Sequence, residues 1–136
     1  MDRKSVLFAC THNSARSQMA EGLLNALYGD RYVAFSAGTE PSKLNPYAVE
    51  AMSEIGIDIS HNYSKSVEEF RNEHLDYVVT VCDNAKEPCP IFSGGKKHLH
   101  ETFEDPSDFK GTPDEVRSRF RHVRGQIEEW VRRTFG

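Results

Sequence analysis

The chain has 136 residues and a formal net charge of -4, with 17 Lys and Arg against 21 Asp and Glu. That is the length of one domain with its own core, and its acidic balance is the opposite of a nucleic-acid binder's basic footprint. No segment approaches the roughly 18 apolar residues of a membrane span, and the apolar run in the opening "MDRKSVLFACTHN" is too short for a signal peptide, so a single cytoplasmic domain over 1-136 is expected, with no nucleic-acid or membrane partner.

Val6 to Ala9 is a continuous apolar run, which suits a strand buried on both faces. Ala15 to Tyr28 follows as a helix, with Met19, Ala20, Leu23, Leu24 and Leu27 as its apolar stripe and Gly29 as its stop. "RYVAFSAG" is a second strand, ending at Gly38. "NPYAVEAMSEIG" is a second helix, capped by Asn45, started by Pro46 and closed by Gly56. Val67 to Arg71 is a short third helix. "YVVTVC", from Tyr77, is β-branched and aromatic, hence another buried strand. "NAKEPCPIFSGG" is loop-like, "KKHLHETF" a weaker strand and "EDPSDFKG" a loop. The last helix has Thr112 as N-cap, Pro113 at its first position and Glu115 to complete a capping box. Its buried face is Val116, Phe120, Val123, Ile127, Trp130 and Val131. Strands alternating with helices make an α/β domain with a mainly parallel sheet.

Ligands of such sheets bind at the carboxyl ends of the strands. Cys10 and Cys82 both fall there. Cys10 and Arg16 make a Cys-x5-Arg pattern, which ten arginines in 136 positions would produce beside a given cysteine about 7% of the time. Its placement in a strand-to-helix turn strengthens it. Backbone N–H groups and the helix N-terminus form an anion cradle there, and a guanidinium grips a tetrahedral oxyanion in bidentate fashion. The same field favours a thiolate, a nucleophile for phosphorus or arsenic. Asn13 tolerates left-handed backbone, and Ser14 or Ser17 could donate to the sulfur. The bland reading is a buried cysteine near a surface arginine.

The "FEDPSDF" stretch offers Glu104, Asp105 and Asp108 as a general acid, with Asp105 restricted by Pro106. The alternative there is a solvated acidic loop. Three cysteines, Cys10, Cys82 and Cys89, do not make a disulfide framework. They also lack the paired spacing of a zinc site, so no metal centre is expected. Cys82 and Cys89 could close a transient, catalytic disulfide if the chain between them bends.

Taken together, "CTHNSARSQMAEG", "SAG", "LNPYAVEAMSEIGIDIS", "VVTVC", the Cys82 and Cys89 pair and "EDP" resemble the thioredoxin-coupled arsenate reductases, which share the low-molecular-weight protein tyrosine phosphatase fold. The resemblance spans essentially the whole chain and implies a parallel four-stranded sheet flanked by helices. It also implies an oxyanion loop of Thr11, His12, Asn13, Ser14, Ala15, Arg16 and Ser17. In the implied reaction Cys10 attacks arsenate, Asp105 aids the leaving oxygen, and Cys82 then Cys89 relay a disulfide to thioredoxin. Phosphate and sulfate would compete, no other cofactor is implied, and a monomer is expected. Where the family commonly has glycine the chain has His12, which either crowds the loop, adds a donor or faces solvent. Ala15 replaces a cysteine of some relatives. Some members bind potassium at positions matching Asn13, Glu21 and Ser36 with an acidic residue where Lys65 stands. Lys65 is therefore expected either to replace the ion, pairing with Glu21 and donating toward Asn13 or Ser36, or simply to extend into solvent. The rival readings are a low-molecular-weight phosphatase acting on phosphotyrosine or small phosphoesters, and a non-catalytic redox-sensing module.

Overall fold

The computed structural model describes residues 3–83 and 94–136. In chain order the elements are β1 (Lys4–Cys10), α1 (Arg16–Tyr28), β2 (Tyr32–Gly38), α2 (Pro46–Ser53), a 3₁₀ turn (Val67–Phe70), β3 (Tyr77–Thr80), β4 (Lys97–His100), a second 3₁₀ turn (Pro106–Asp108) and α3 (Pro113–Phe135). The four strands form one parallel sheet in the order β2-β1-β3-β4.

β1 is central, and its alternation divides the core. Val6, Phe8 and Cys10 join one apolar cluster with Met19, Leu23 and Leu24 of α1, Ala48 and Met52 of α2, and Phe120, Ile127 and Trp130 of α3. Leu7 and Ala9 face the other way, onto Val67, Phe70, Leu75 and Val78. A strand covered on both sides must be apolar throughout, which is why "VLFA" has no polar alternation.

The expected starts of α2 and α3 stand. Asn45 accepts from the Tyr47 N–H at 2.8 Å, and Thr112 and Glu115 form a reciprocal capping box. α2 stops at Ser53, three residues before Gly56, whose φ of +80° makes the turn after it. Gly29 caps α1 at φ -63°, so left-handed freedom is not what ends that helix. β3 pairs only as far as Thr80, and Cys82 lies two residues past it. β4 is shorter than expected, because His98 and His100 are exposed and only Leu99 reaches the core. Most of the expected loop from Asn84 to Gly95, with Cys89 in it, lies outside the described residues. Among the described residues no helix is long and apolar enough to cross a membrane.

Sheet order fixes where a ligand can sit. β1 connects through α1 to β2 on one side, and the chain then crosses to β3 on the other. The crevice between the carboxyl ends of β1 and β3 is the topological switch point. Cys10 ends β1 on one side of it, and Cys82 follows β3 on the other.

Candidate active site

Residues 10–15 turn their carbonyls away from Cys10's sulfur. Cys10 O accepts from Thr39 N at 3.3 Å, Thr11 O from Glu40 N at 2.8 Å, His12 O from Ser42 N at 3.2 Å and Ser14 O from Asn45 N at 3.0 Å. Asn13 O accepts from Gln18 Nε2 at 3.2 Å, and Ala15 O, at the N-cap of α1, from Met19 N at 2.9 Å. No peptide is cis. In a planar trans peptide the N–H points opposite to the C=O, so fixing these carbonyls outward aims the next N–H groups the other way. The Asn13 N–H shows the result, reaching Cys10 Sγ at 3.2 Å. This is the cradle an oxyanion needs.

Two local features permit the turn. Asn13 has φ +51°, left-handed backbone that asparagine tolerates best after glycine. Gly38 lets β2 pass against the loop: a Cβ there would stand 2.4 Å from Thr11 O and 2.9 Å from Asn13 N.

Cys10 is 2% exposed. Its sulfur lies 2.9 Å from Ser17 Oγ. Lys65 N donates to Asn13 Oδ1 at 2.8 Å, which fixes that atom as oxygen. Asn13 Nδ2 must then donate to Ser17 Oγ, at 2.8 Å. With its oxygen accepting, Ser17 has its own proton for the sulfur. Two donors therefore meet Cys10 Sγ, the arrangement that stabilises a thiolate.

Arg16 is 2% exposed, a buried cation at the first turn of α1. It donates to Phe103 O at 3.3 Å and to Asp105 Oδ2 at 3.5 Å. Of the three acidic candidates, Asp105 alone meets Arg16 in these contacts. Glu104 pairs with Arg119 at 3.0 Å, and Asp108 ends the 3₁₀ turn, exposed. Asp105 Oδ1 accepts from Ser107 N at 3.0 Å and Ser107 Oγ at 2.6 Å, so the carboxylate is held at both oxygens. His12 is exposed, and its Nδ1 lies 3.0 Å from Glu40 O. A carbonyl only accepts, so Nδ1 donates; the side chain ties the loop's outer face to the 39–42 segment. Ser14 is half-buried and Ala15 buried. Cys82 is fully buried and disulfide-bonded, whereas Cys10 is a free thiol.

The expected cation cluster takes another form. Lys65 reaches Asn13 through its backbone N–H, while its ammonium donates to Tyr63 O at 2.9 Å and lies over the Tyr63 ring. Ser36 Oγ donates to Glu21 Oε1 at 2.6 Å, and Asn62 Nδ2 to Glu21 Oε2 at 3.1 Å. Burial raises the Glu21 pKa, opposed by the Ser36 hydrogen bond and then by the Lys65 charge. Asn13 Oδ1 and both Glu21 oxygens thus already accept hydrogen bonds, and Ser36 Oγ turns its proton onto Glu21.

Sequence reasoning missed Gln18 and Asn62. Gln18 is fully buried beside Asn13, but a glutamine ahead of an apolar stripe carries no signal of that. The 39–45 segment was also missed, since its contribution is backbone N–H groups, which no residue type announces.

Residues 5–135 match the family model for low molecular weight phosphotyrosine protein phosphatases. The arsenate reductase of Halalkalibacterium halodurans is 42% identical over 132 residues, 97% of this chain and 95% of that protein. A solved structure described as an arsenate reductase in the phosphate binding state aligns with TM-score 0.80 and 36% identity, covering 96% of this chain and 95% of that one. The thioredoxin-dependent arsenate reductase of Corynebacterium glutamicum aligns with TM-score 0.68 and 28% identity, over 96% of this chain and 61% of that one. The fold, the cradle and these matches lead to one assignment: the chain belongs to the low molecular weight phosphotyrosine protein phosphatase family and, within it, stands with arsenate reductases.

Proposed function

We propose that the chain reduces arsenate to arsenite through a three-thiol relay that thioredoxin resets. Arsenate enters the cradle and takes hydrogen bonds from the loop N–H groups and from Arg16. The Cys10 thiolate forms a sulfur–arsenic bond while an arsenate oxygen leaves as water, with Asp105 supplying a proton. The Cys82 thiolate then attacks Cys10 sulfur. The electron pair of the sulfur–arsenic bond goes to arsenic, which departs as arsenite, and a Cys10–Cys82 disulfide remains. Cys89 attacks Cys82 sulfur and frees Cys10 as a thiolate. A thioredoxin dithiol reduces the Cys82–Cys89 disulfide. Two electrons enter from the thiols and two reach arsenic.

The observation that carries this reading is the pairing across the switch point. A free thiol, Cys10, sits under two hydrogen-bond donors, and a disulfide-bonded cysteine, Cys82, follows the adjoining strand. A simple phosphatase has no use for the second. The relatives' names point the same way. The cradle also suits phosphate and sulfate as competitors, and slow hydrolysis of aryl phosphates as a side activity.

The test is arsenate-dependent oxidation of NADPH through thioredoxin and thioredoxin reductase. Wild type should sustain it and Cys10→Ser should not. No arsenate-dependent oxidation alongside brisk aryl phosphate hydrolysis would place the chain among the phosphatases instead.

A further inference from the structure

We propose that Gln18 is a positioning residue for the Cys10 nucleophile, holding Asn13 so that a one-way chain of hydrogen bonds points the Ser17 O–H at the sulfur. The inference deepens the reading above, since it takes Cys10 as the nucleophile.

The acceptors fix how each amide is turned, with the two hydrogens of Gln18 Nε2 shared among three oxygens. Gln18 Nε2 lies 3.2 Å from Asn13 O and 2.9 Å from Tyr63 O. Both are backbone carbonyls, which only accept, so this atom is the nitrogen. It also lies 3.0 Å from Asn13 Oδ1. The same oxygen takes the Lys65 N–H, which turns Asn13 Nδ2 onto Ser17 and leaves Ser17's proton for Cys10. At the far end, Gln18 Oε1 accepts from Asn62 Nδ2 at 3.1 Å, and that nitrogen is anchored by Glu21 Oε2 at 3.1 Å. The chain therefore runs Asn62 to Gln18 to Asn13 to Ser17 to Cys10, each member donating to the next. Bonds arranged in one direction polarise one another.

Burial makes the arrangement costly to lose. Gln18, Asn13 and Ser17 are all fully buried. Without Gln18, Asn13 O and Oδ1 each lose a donor, and the Lys65 N–H is what remains to hold the Asn13 side chain, on left-handed backbone, toward Ser17. The charged groups around the chain are Arg16 with Asp105 at the loop, and Glu21 with Lys65 and His61 at the far end. A Gln18 substitution alters none of them directly.

The experiment uses full-length protein carrying Cys82→Ser and Cys89→Ser, so that Cys10 is the one thiol. Its ionisation is followed by thiolate ultraviolet absorbance against pH. Gln18→Met keeps the length and removes the donors. It should move the midpoint up by about one pH unit, the tenfold effect of one well-placed hydrogen bond to a charged group. Ser17→Ala should do the same. The double variant Ser17→Ala with Gln18→Met should move no further than Ser17→Ala alone, because Gln18 acts through Ser17. A purely structural glutamine would lower the melting temperature without that non-additivity. Should Gln18→Met fail to fold, Asn62→Ala at the half-buried end decides, with a smaller upward move expected. A wild-type midpoint in the folded variant, or shifts that add in the double variant, would overturn the proposal. The readout needs no arsenate, so it stands or falls apart from the proposed reductase activity.

Discussion

Arg16 and Asp105 are 89 positions apart in sequence, and their side chains meet at 3.5 Å, Nη2 to Oδ2. Oδ1 is held by Ser107, and Oδ2 is the oxygen that meets Arg16. Asp105→Asn preserves shape and removes the proton. Its effect on the proposed aryl phosphate side activity should depend on the leaving group. Poor leaving groups should lose about a hundredfold or more and good ones little, because only the former need protonation. Leaving-group kinetics check this, and equal losses would make Asp105 a structural partner of Arg16.

Gly38→Ala would place a methyl 2.4 Å from Thr11 O. The obstacle is backbone at the base of the loop, so the loop must shift. We expect a loss of about 1–3 kcal/mol of stability, typical of an overpacked site. The diagnostic reading is phosphate binding: the rise in melting temperature that phosphate gives wild type should shrink in Gly38→Ala. An undiminished rise would mean that the loop tolerates the methyl without losing its shape.

Two glutamates should leave opposite marks on stability against pH. Burial raises the Glu21 pKa above its ordinary 4.5. The folded protein then keeps this proton to higher pH than the unfolded chain, so its contribution is best below 4.5 and falls as pH rises through the folded value. Glu54 is the reverse case. Hydrogen bonds from Arg121 and then Arg124 lower its pKa to about 2, so its contribution is present above 4.5 and is lost as pH falls toward 2. Urea unfolding of wild type and Glu21→Gln from about pH 5 to about pH 8 checks the first sign. The variant should gain relative to wild type as pH rises; parallel curves would contradict it.

Lys65 and the donors around Glu21 lead us to expect potassium-independent activity. Activity and melting temperature should match in potassium and in a large inert cation at equal ionic strength. Lys65→Asp removes the ammonium and adds an oxygen ligand, so it should create a potassium response. Stimulation of the wild type by potassium would overturn the expectation.

How far the sequence spoke depended on what each residue contributes. Strand and helix signals placed Cys10, Arg16 and Cys82 at the carboxyl edge, because apolar runs and caps are local chemistry. Thr112 with Glu115, and Asn45 with Pro46, marked helix starts directly. Residue pattern alone left Asp105 one of three acids; the resemblance singled it out, and the fold brings it to Arg16. Lys65 was expected to act through its ammonium, but its backbone N–H reaches Asn13, and a backbone contact is indifferent to side-chain identity. Gln18 and the 39–45 segment were invisible for the same reason: their partners are set by tertiary placement, not by local pattern.

The central claim, that three thiols act in series, is tested most directly by comparing one turnover with many in Cys89→Ser. With excess arsenate and the thioredoxin system present, this variant should release about one arsenite per protein and stop, held at the Cys10–Cys82 disulfide. Cys82→Ser should release essentially none, and both should keep slow hydrolysis of an aryl phosphate. Steady turnover of arsenate by Cys89→Ser at the wild-type rate would contradict the relay.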